Sequence, residues 1–120
     1  MSVQIGDAIC CHLLTGYCSG SWRTRSTISP GARIVTFGNG MVVREPIISV
    51  DPTARRLVWT ASGGRATHYN SSVEVTAGPA GGSMVTWTSD FLPDSLEAEI
   101  NGAMEMGASI MAKTLNKLSV

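Results

Sequence analysis

Charge is scarce in this chain and evenly balanced. Only 15% of its 120 residues are charged, nine basic against nine acidic, which gives a net charge of zero. Without a net positive field nothing attracts a phosphate backbone or an anionic lipid surface, so neither nucleic acid nor a membrane surface is expected as a partner. Long hydrophobic runs are missing as well. No apolar stretch approaches the roughly 18 residues of a membrane helix, and the chain is expected to be soluble. The apolar run Ala8 to Leu14 lacks a preceding Lys or Arg, is interrupted by His12 and is not followed by a small-residue cleavage pattern. The run is therefore not expected to be a secretory signal, and a cytoplasmic location is expected.

Cysteine and histidine are few. Three cysteines are an odd number that cannot pair completely within one chain, and in the cytoplasm they are expected to be buried, reduced thiols. Cys10, Cys11, His12 and Cys18 do not form a metal knuckle, because adjacent cysteines diverge and no Cys-x₂-Cys spacing occurs, so no metal site is expected. The glycine turns Gly38-Asn39-Gly40 and Gly63-Gly64-Arg65 are not followed by the Gly-Lys-Ser/Thr of a phosphate cradle. No cofactor is implied. Asn70-Ser71-Ser72 matches a glycosylation acceptor, which has no consequence without export.

What is present suffices for one globular domain over residues 1–120. A hydrophobic content of 43% can fill the core of a chain that should bury roughly two-thirds of its unfolded surface. From Ala32 onward the chain reads as a β-meander. Arg33 to Phe37 and Met41 to Arg44 flank Gly38-Asn39-Gly40, where Asn-Gly supplies the positive φ of a tight hairpin. The second run continues through Ile47 to Val50 and stops at Asp51-Pro52, and Pro46 inside it predicts a bulge or an unpaired edge. Arg56 to Ala61, His68 to Val75 and Ser83 to Phe91 follow, separated by Gly63-Gly64 and by Gly78-Pro79-Ala80-Gly81-Gly82.

Asp94 followed by Glu97 reads as a capping box opening a helix that runs to about Leu118. Ile100, Met104, Gly107, Met111, Leu115 and Leu118 recur at three- and four-residue spacing, so they form one apolar stripe that must lie against something. The expected fold is α+β: a curved antiparallel sheet wrapped around a single long C-terminal helix. Residues 1–28 read as a strand over Met1 to Ile5, a short helix from Asp7 to about Tyr17, and irregular structure from Ser19 to Thr27.

An ordered set of motifs carries a family resemblance. Gly40-Met41-Val42-Val43-Arg44-Glu45, Val50-Asp51, Arg56-Leu57, His68-Tyr69, and Val85-Thr86-Trp87 through Phe91-Leu92-Pro93 occur in sequence. Over about residues 29 to 120 the chain resembles the START/Bet v 1-like (SRPBCC) superfamily, in particular its bacterial polyketide cyclase/dehydrase-type members, and is similar to the plant abscisic-acid receptors. The resemblance implies a helix-grip fold, with seven antiparallel strands around the helix and an apolar cavity between them. It departs from the family in residues 1–28, which are short for the usual strand and two helices, with Trp22 the one candidate for the usual aromatic. The cavity is therefore expected either to be closed by a second chain in a homodimer or to be plugged by Ile9, Leu13, Leu14 and Trp22.

The resemblance makes Glu45 a cavity residue that holds polar ligand groups, and strand alternation then turns Val43 and Ile47 inward with it. The alternative is an exposed Glu45 paired with Arg44 or Arg56. Buried beside apolar residues, Glu45 would serve as a proton donor or acceptor. Tyr69 and Ser71 match a pocket Tyr-x-Ser segment and share a face with Val73 and Val75; the alternative is a core tyrosine satisfied by protein groups. His68 falls on the opposite, outward face. Trp59, Trp87, Met84, Met104 and Met111 are expected either to line the cavity or to fill a compact core.

Together these features point to intracellular binding of a small hydrophobic or aromatic molecule between sheet and helix. The alternatives are a polyketide cyclase/dehydratase-like enzyme that moves protons through Glu45 or Tyr69, and a homodimeric scaffold module.

Overall fold

The structure, a computed structural model, describes residues 2–5, 23–29, 31–37 and 40–118. The expected helix at Asp7 to Tyr17, the plug residues Ile9, Leu13, Leu14 and Trp22, the Cys10–Cys18 cluster and the Gly38-Asn39 pair lie outside the described residues.

Seven strands form one antiparallel sheet: β1 (Ser2–Ile5), β2 (Arg23–Ser29), β3 (Ala32–Phe37), β4 (Val42–Asp51), β5 (Arg56–Thr60), β6 (His68–Ala77) and β7 (Ser83–Leu92). Their spatial order is β1-β7-β6-β5-β4-β3-β2, so β2 to β7 form a meander and β1 returns to the far edge beside β7. A short 3₁₀ turn over Asp94–Leu96 leads into the 22-residue helix α1 (Glu97–Leu118). This is the helix-grip arrangement that the sequence implied.

The turns follow the local chemistry. Asp51 ends β4 by accepting a hydrogen bond from the Ala54 backbone N–H at 2.9 Å, three residues on, so its side chain caps the turn that begins at Pro52. Gly81 and Gly82 both take positive φ, where the Gly78 N–H donates to the Gly82 carbonyl. At Pro46 both sequence options need refinement, because β4 is a central strand. Pro46 pairs with Ala32 of β3, and the irregularity lies two residues on, where the β4–β5 register shifts between Ile47 and Ser49. Toward β5, only the isolated bridge Arg44–Ser62 precedes that pairing, so the missing proline N–H falls at a gap in the ladder.

Two expectations are corrected. The Ser19 to Thr27 stretch is not irregular throughout, since Arg23–Ser29 is strand β2, paired with β3 from Arg23↔Phe37 to Ser29↔Ala32. Pairing with β3 satisfies the backbone and overrides a composition that is weak in local strand signals. The capping box at Asp94 does not form either. The cap position falls on Pro93, which makes no side-chain capping bond, and Asp94 lies inside the 3₁₀ turn closed by Leu96 N–H to the Pro93 carbonyl.

Period-two burial in β5, β6 and β7 puts Leu57, Trp59, Val73, Val75, Val85 and Trp87 on one face. The helix stripe packs against that face through Met104 and Leu115, with Ile100, Met111 and Ala112 half-buried beside them. Gly107 and Ala108 are also buried. Leu115, 1% exposed, is among the largest fully buried side chains.

Candidate ligand-binding site

Between the inner face of the sheet and the first turns of α1 lies a cavity of about 490 Å³. Its sheet wall comes from Met41, Val43 and Glu45 of the β4 region, Trp59 and Ala61 of β5, Tyr69 of β6 and Trp87 of β7. Leu96, Ile100, Ala103 and Met104 close it from the helix side. The two indoles lean together with centroids 6.3 Å apart and planes at 41°, within the range of favourable tilted aromatic pairs. The volume and the largely apolar lining fall within what small-molecule sites use.

The polar groups are few, and the two side chains Glu45 and Tyr69 of the sheet wall are each held. Glu45, 4% exposed, faces inward from β4 directly opposite Arg33 of β3, which is 8% exposed. Both Nε and Nη2 of Arg33 converge on Glu45 Oε2, at 2.7 and 2.6 Å. The guanidinium also sits 5.3 Å from the Trp59 ring centroid, a cation–π distance. The exposed alternative for Glu45, paired with Arg44 or Arg56, is therefore set aside. Its partner is a buried arginine that the sequence reading left as an ordinary strand residue. The signal was available: a hairpin centred on Asn39 pairs Val35 with Val43 and hence Arg33 with Glu45. The condition for a lone acid in apolar surroundings is not met, because the guanidinium is buried with it.

Tyr69 Oη lies 3.0 Å from Ser89 Oγ, which is 2.8 Å from Ser71 Oγ. Ser71, 2% exposed, accepts the indole N–H of Trp87 at 2.6 Å and donates to the Thr88 carbonyl at 3.1 Å. The register explains this: Ser71 is opposite Ser89 and diagonal to Trp87, whose own partner is Val73. Ser71 thus fixes the Trp87 ring from behind.

At the cavity edge, Arg65 of the β5–β6 loop pairs with Glu99 of α1 at 2.5 Å, both side chains well exposed. That loop approaches β4 closely. Gly63 has φ +93°, and a Cβ there would lie 3.0 Å from the Val42 carbonyl oxygen.

Of the residues singled out in the sequence, the structure brings Val43, Glu45, Trp59, Tyr69, Trp87 and Met104 to the cavity. Ile47, Ser71 and Met111 are not part of its lining. The first and third pack against the core, and the second lies in the hydroxyl network behind the wall. Met84 is half-buried on β7, also off the lining, and His68 is exposed at the start of β6. Among the described residues no group of acidic, histidine or cysteine side chains is arranged to hold a metal.

A seven-stranded antiparallel sheet with an apolar cavity under its long C-terminal helix is the helix-grip arrangement. The chain belongs to the polyketide cyclase / dehydrase and lipid transport family, whose model matches residues 15–119. Among curated proteins none matches the chain. Solved structures share the fold. An uncharacterized protein from Bacillus thuringiensis has a TM-score of 0.80 at 18% identity, covering 96% of each chain. The protein XoxI from Bacillus cereus has a TM-score of 0.83 at 18% identity, covering all of this chain and 96% of its own. A protein from Thermobifida fusca reaches 0.67 at 22% identity, with 98% and 92% covered.

Proposed function

We propose that this protein binds a small hydrophobic or aromatic molecule in the cavity between β4–β7 and α1. The observation that carries the reading is the cavity itself, about 490 Å³ bounded by two tryptophans, methionines and aliphatic groups with an ion pair set in one wall. A concave, mostly apolar space with a few positioned polar groups is the arrangement that captures such ligands. The family's association with polyketides and lipids supports the same ligand class. Isothermal titration with a naphthol should give binding of one molecule per chain. Ala61→Trp, which places an indole in the cavity, should abolish it. A naphthol that binds the blocked variant as well as the parent would overturn the reading.

Catalysis by Glu45 or Tyr69 gains no comparable support, since Arg33 engages the acid and Ser89 engages the phenol. The homodimer and the cytoplasmic location stay part of the proposal on sequence grounds. Among the described residues β1 and β2 end the sheet, and strand edges invite pairing with a second chain. Native mass spectrometry would report twice the chain mass for such a dimer, together with any co-purified molecule; a persistent 12.6 kDa species would exclude it.

A further inference from the structure

The hydroxyl network behind the cavity has a direction, and that direction sets what the cavity wall offers a ligand. Four donors meet four contacts. The Trp87 indole N–H has one proton and gives it to Ser71 Oγ. The Thr88 carbonyl can only accept, so its contact with Ser71 uses the single Ser71 proton. Ser71 then has only lone pairs left for Ser89, so Ser89 is the donor in that 2.8 Å contact. With its own proton spent, Ser89 accepts from the Tyr69 phenol at 3.0 Å. Run the other way, the chain would leave the Ser71–Thr88 contact without a proton, and a buried polar contact without its hydrogen bond is costly. The Tyr69 phenol therefore gives its proton away from the cavity and presents oxygen lone pairs to it. Glu45 of the same wall is a carboxylate held by a guanidinium, and it also accepts; the donors among the lining residues are the Trp59 indole and, at the edge, Arg65, which is paired with Glu99.

We propose that the cavity selects ligands with hydrogen-bond donors, an apolar or aromatic body carrying hydroxyl or amino groups, over analogues of the same shape that only accept. This rests on the reading of the cavity as the binding site. Ser89 is the positioning residue: it touches no ligand and fixes the polarity of Tyr69. Where the ligand meets Tyr69 and Glu45, an ether or carbonyl oxygen faces lone pairs, while a hydroxyl at the same place makes a hydrogen bond.

The test is calorimetric titration of the parent protein with dihydroxynaphthalene isomers, each against its own dimethyl ether. For the best isomer the diol should bind about tenfold to a hundredfold more tightly than the ether. In Ser89→Ala the Tyr69 proton is released toward the cavity, and the diol-to-ether ratio should fall about tenfold. A folded Ser89→Ala protein with an unchanged ratio would overturn the proposal. Tyr69→Phe provides an independent reading if Ser89→Ala does not fold. It should weaken the diol about fivefold and leave the ether unchanged, whereas weakening of the ether alone would show that Tyr69 donates to the ligand. An ether bound as tightly as its diol in the parent would overturn donor selection while leaving the cavity reading intact. Failure of both diol and ether to bind any isomer would overturn the cavity reading, and this proposal with it.

Discussion

Replacing Arg33 with methionine removes a guanidinium that makes two contacts of 2.6–2.7 Å to a carboxylate only 4% exposed. The Glu45 carboxylate stays where it is, in a wall built from Val43, Trp59 and Trp87, without the cation that was buried beside it. Breaking a buried ion pair from one side costs about 3–5 kcal/mol, well above the few tenths typical of a surface pair. A domain of this size is stable by about 5–15 kcal/mol in total, so the loss should be a large share of it. At about 4 °C per kcal/mol, midway between the ranges for smaller and larger domains, the melting temperature should fall by about 12–20 °C. Urea unfolding followed by tryptophan emission measures the change. The double variant Arg33→Met/Glu45→Met should recover to within about 1 kcal/mol of the parent, because two apolar side chains of similar volume leave no buried charge. If Arg33→Met alone costs less than about 1 kcal/mol, Glu45 does not depend on Arg33 and the account of the cavity's polar wall is wrong.

Leu115→Ala should lose about 2–5 kcal/mol in the same unfolding assay, since the side chain is 1% exposed at the helix–sheet contact. A near-neutral result would mean that the helix does not seat on the sheet as described. Gly63→Ala should cost about 1–3 kcal/mol, from its positive φ and from a Cβ 3.0 Å from the Val42 carbonyl oxygen. Arg65→Ala should change stability by less than about 1 kcal/mol, because the Arg65–Glu99 pair is exposed, and a larger loss would show that this contact organises the loop.

Much of the fold was legible because period-two and helical patterns survive wherever one face is buried. The strands from Ala32 to Leu92 and the stripe through Met104 and Leu115 follow from alternation and three- to four-residue spacing. Strand β2 was not legible, because its two Arg and two Ser carry little strand signal and outweigh its two Thr until β3 supplies a ladder to pair with. The helix start was misread because an Asp three residues before a Glu looks like a capping box whether or not the first turn is 3₁₀. At the site, the family resemblance turned Glu45 and Tyr69 inward, and alternation carried Val43 with Glu45. Arg33 and Ser89 needed the pairing between strands, since each matters through the residue opposite or diagonal to it. Alternation also could not separate lining from backing. Ser71 shares a face with Tyr69, yet it is covered by the Trp87 indole it holds.

The most direct test of the central claim is a two-dimensional amide and indole N–H spectrum recorded during titration with a naphthol. Binding in the cavity predicts the largest shifts at Val43, Trp59, Tyr69, Trp87 and Met104, with the Trp87 indole signal, held by Ser71, among them. Shifts gathered instead on the exposed Val42, Ile48 and Val50, or none up to the solubility limit, would contradict it.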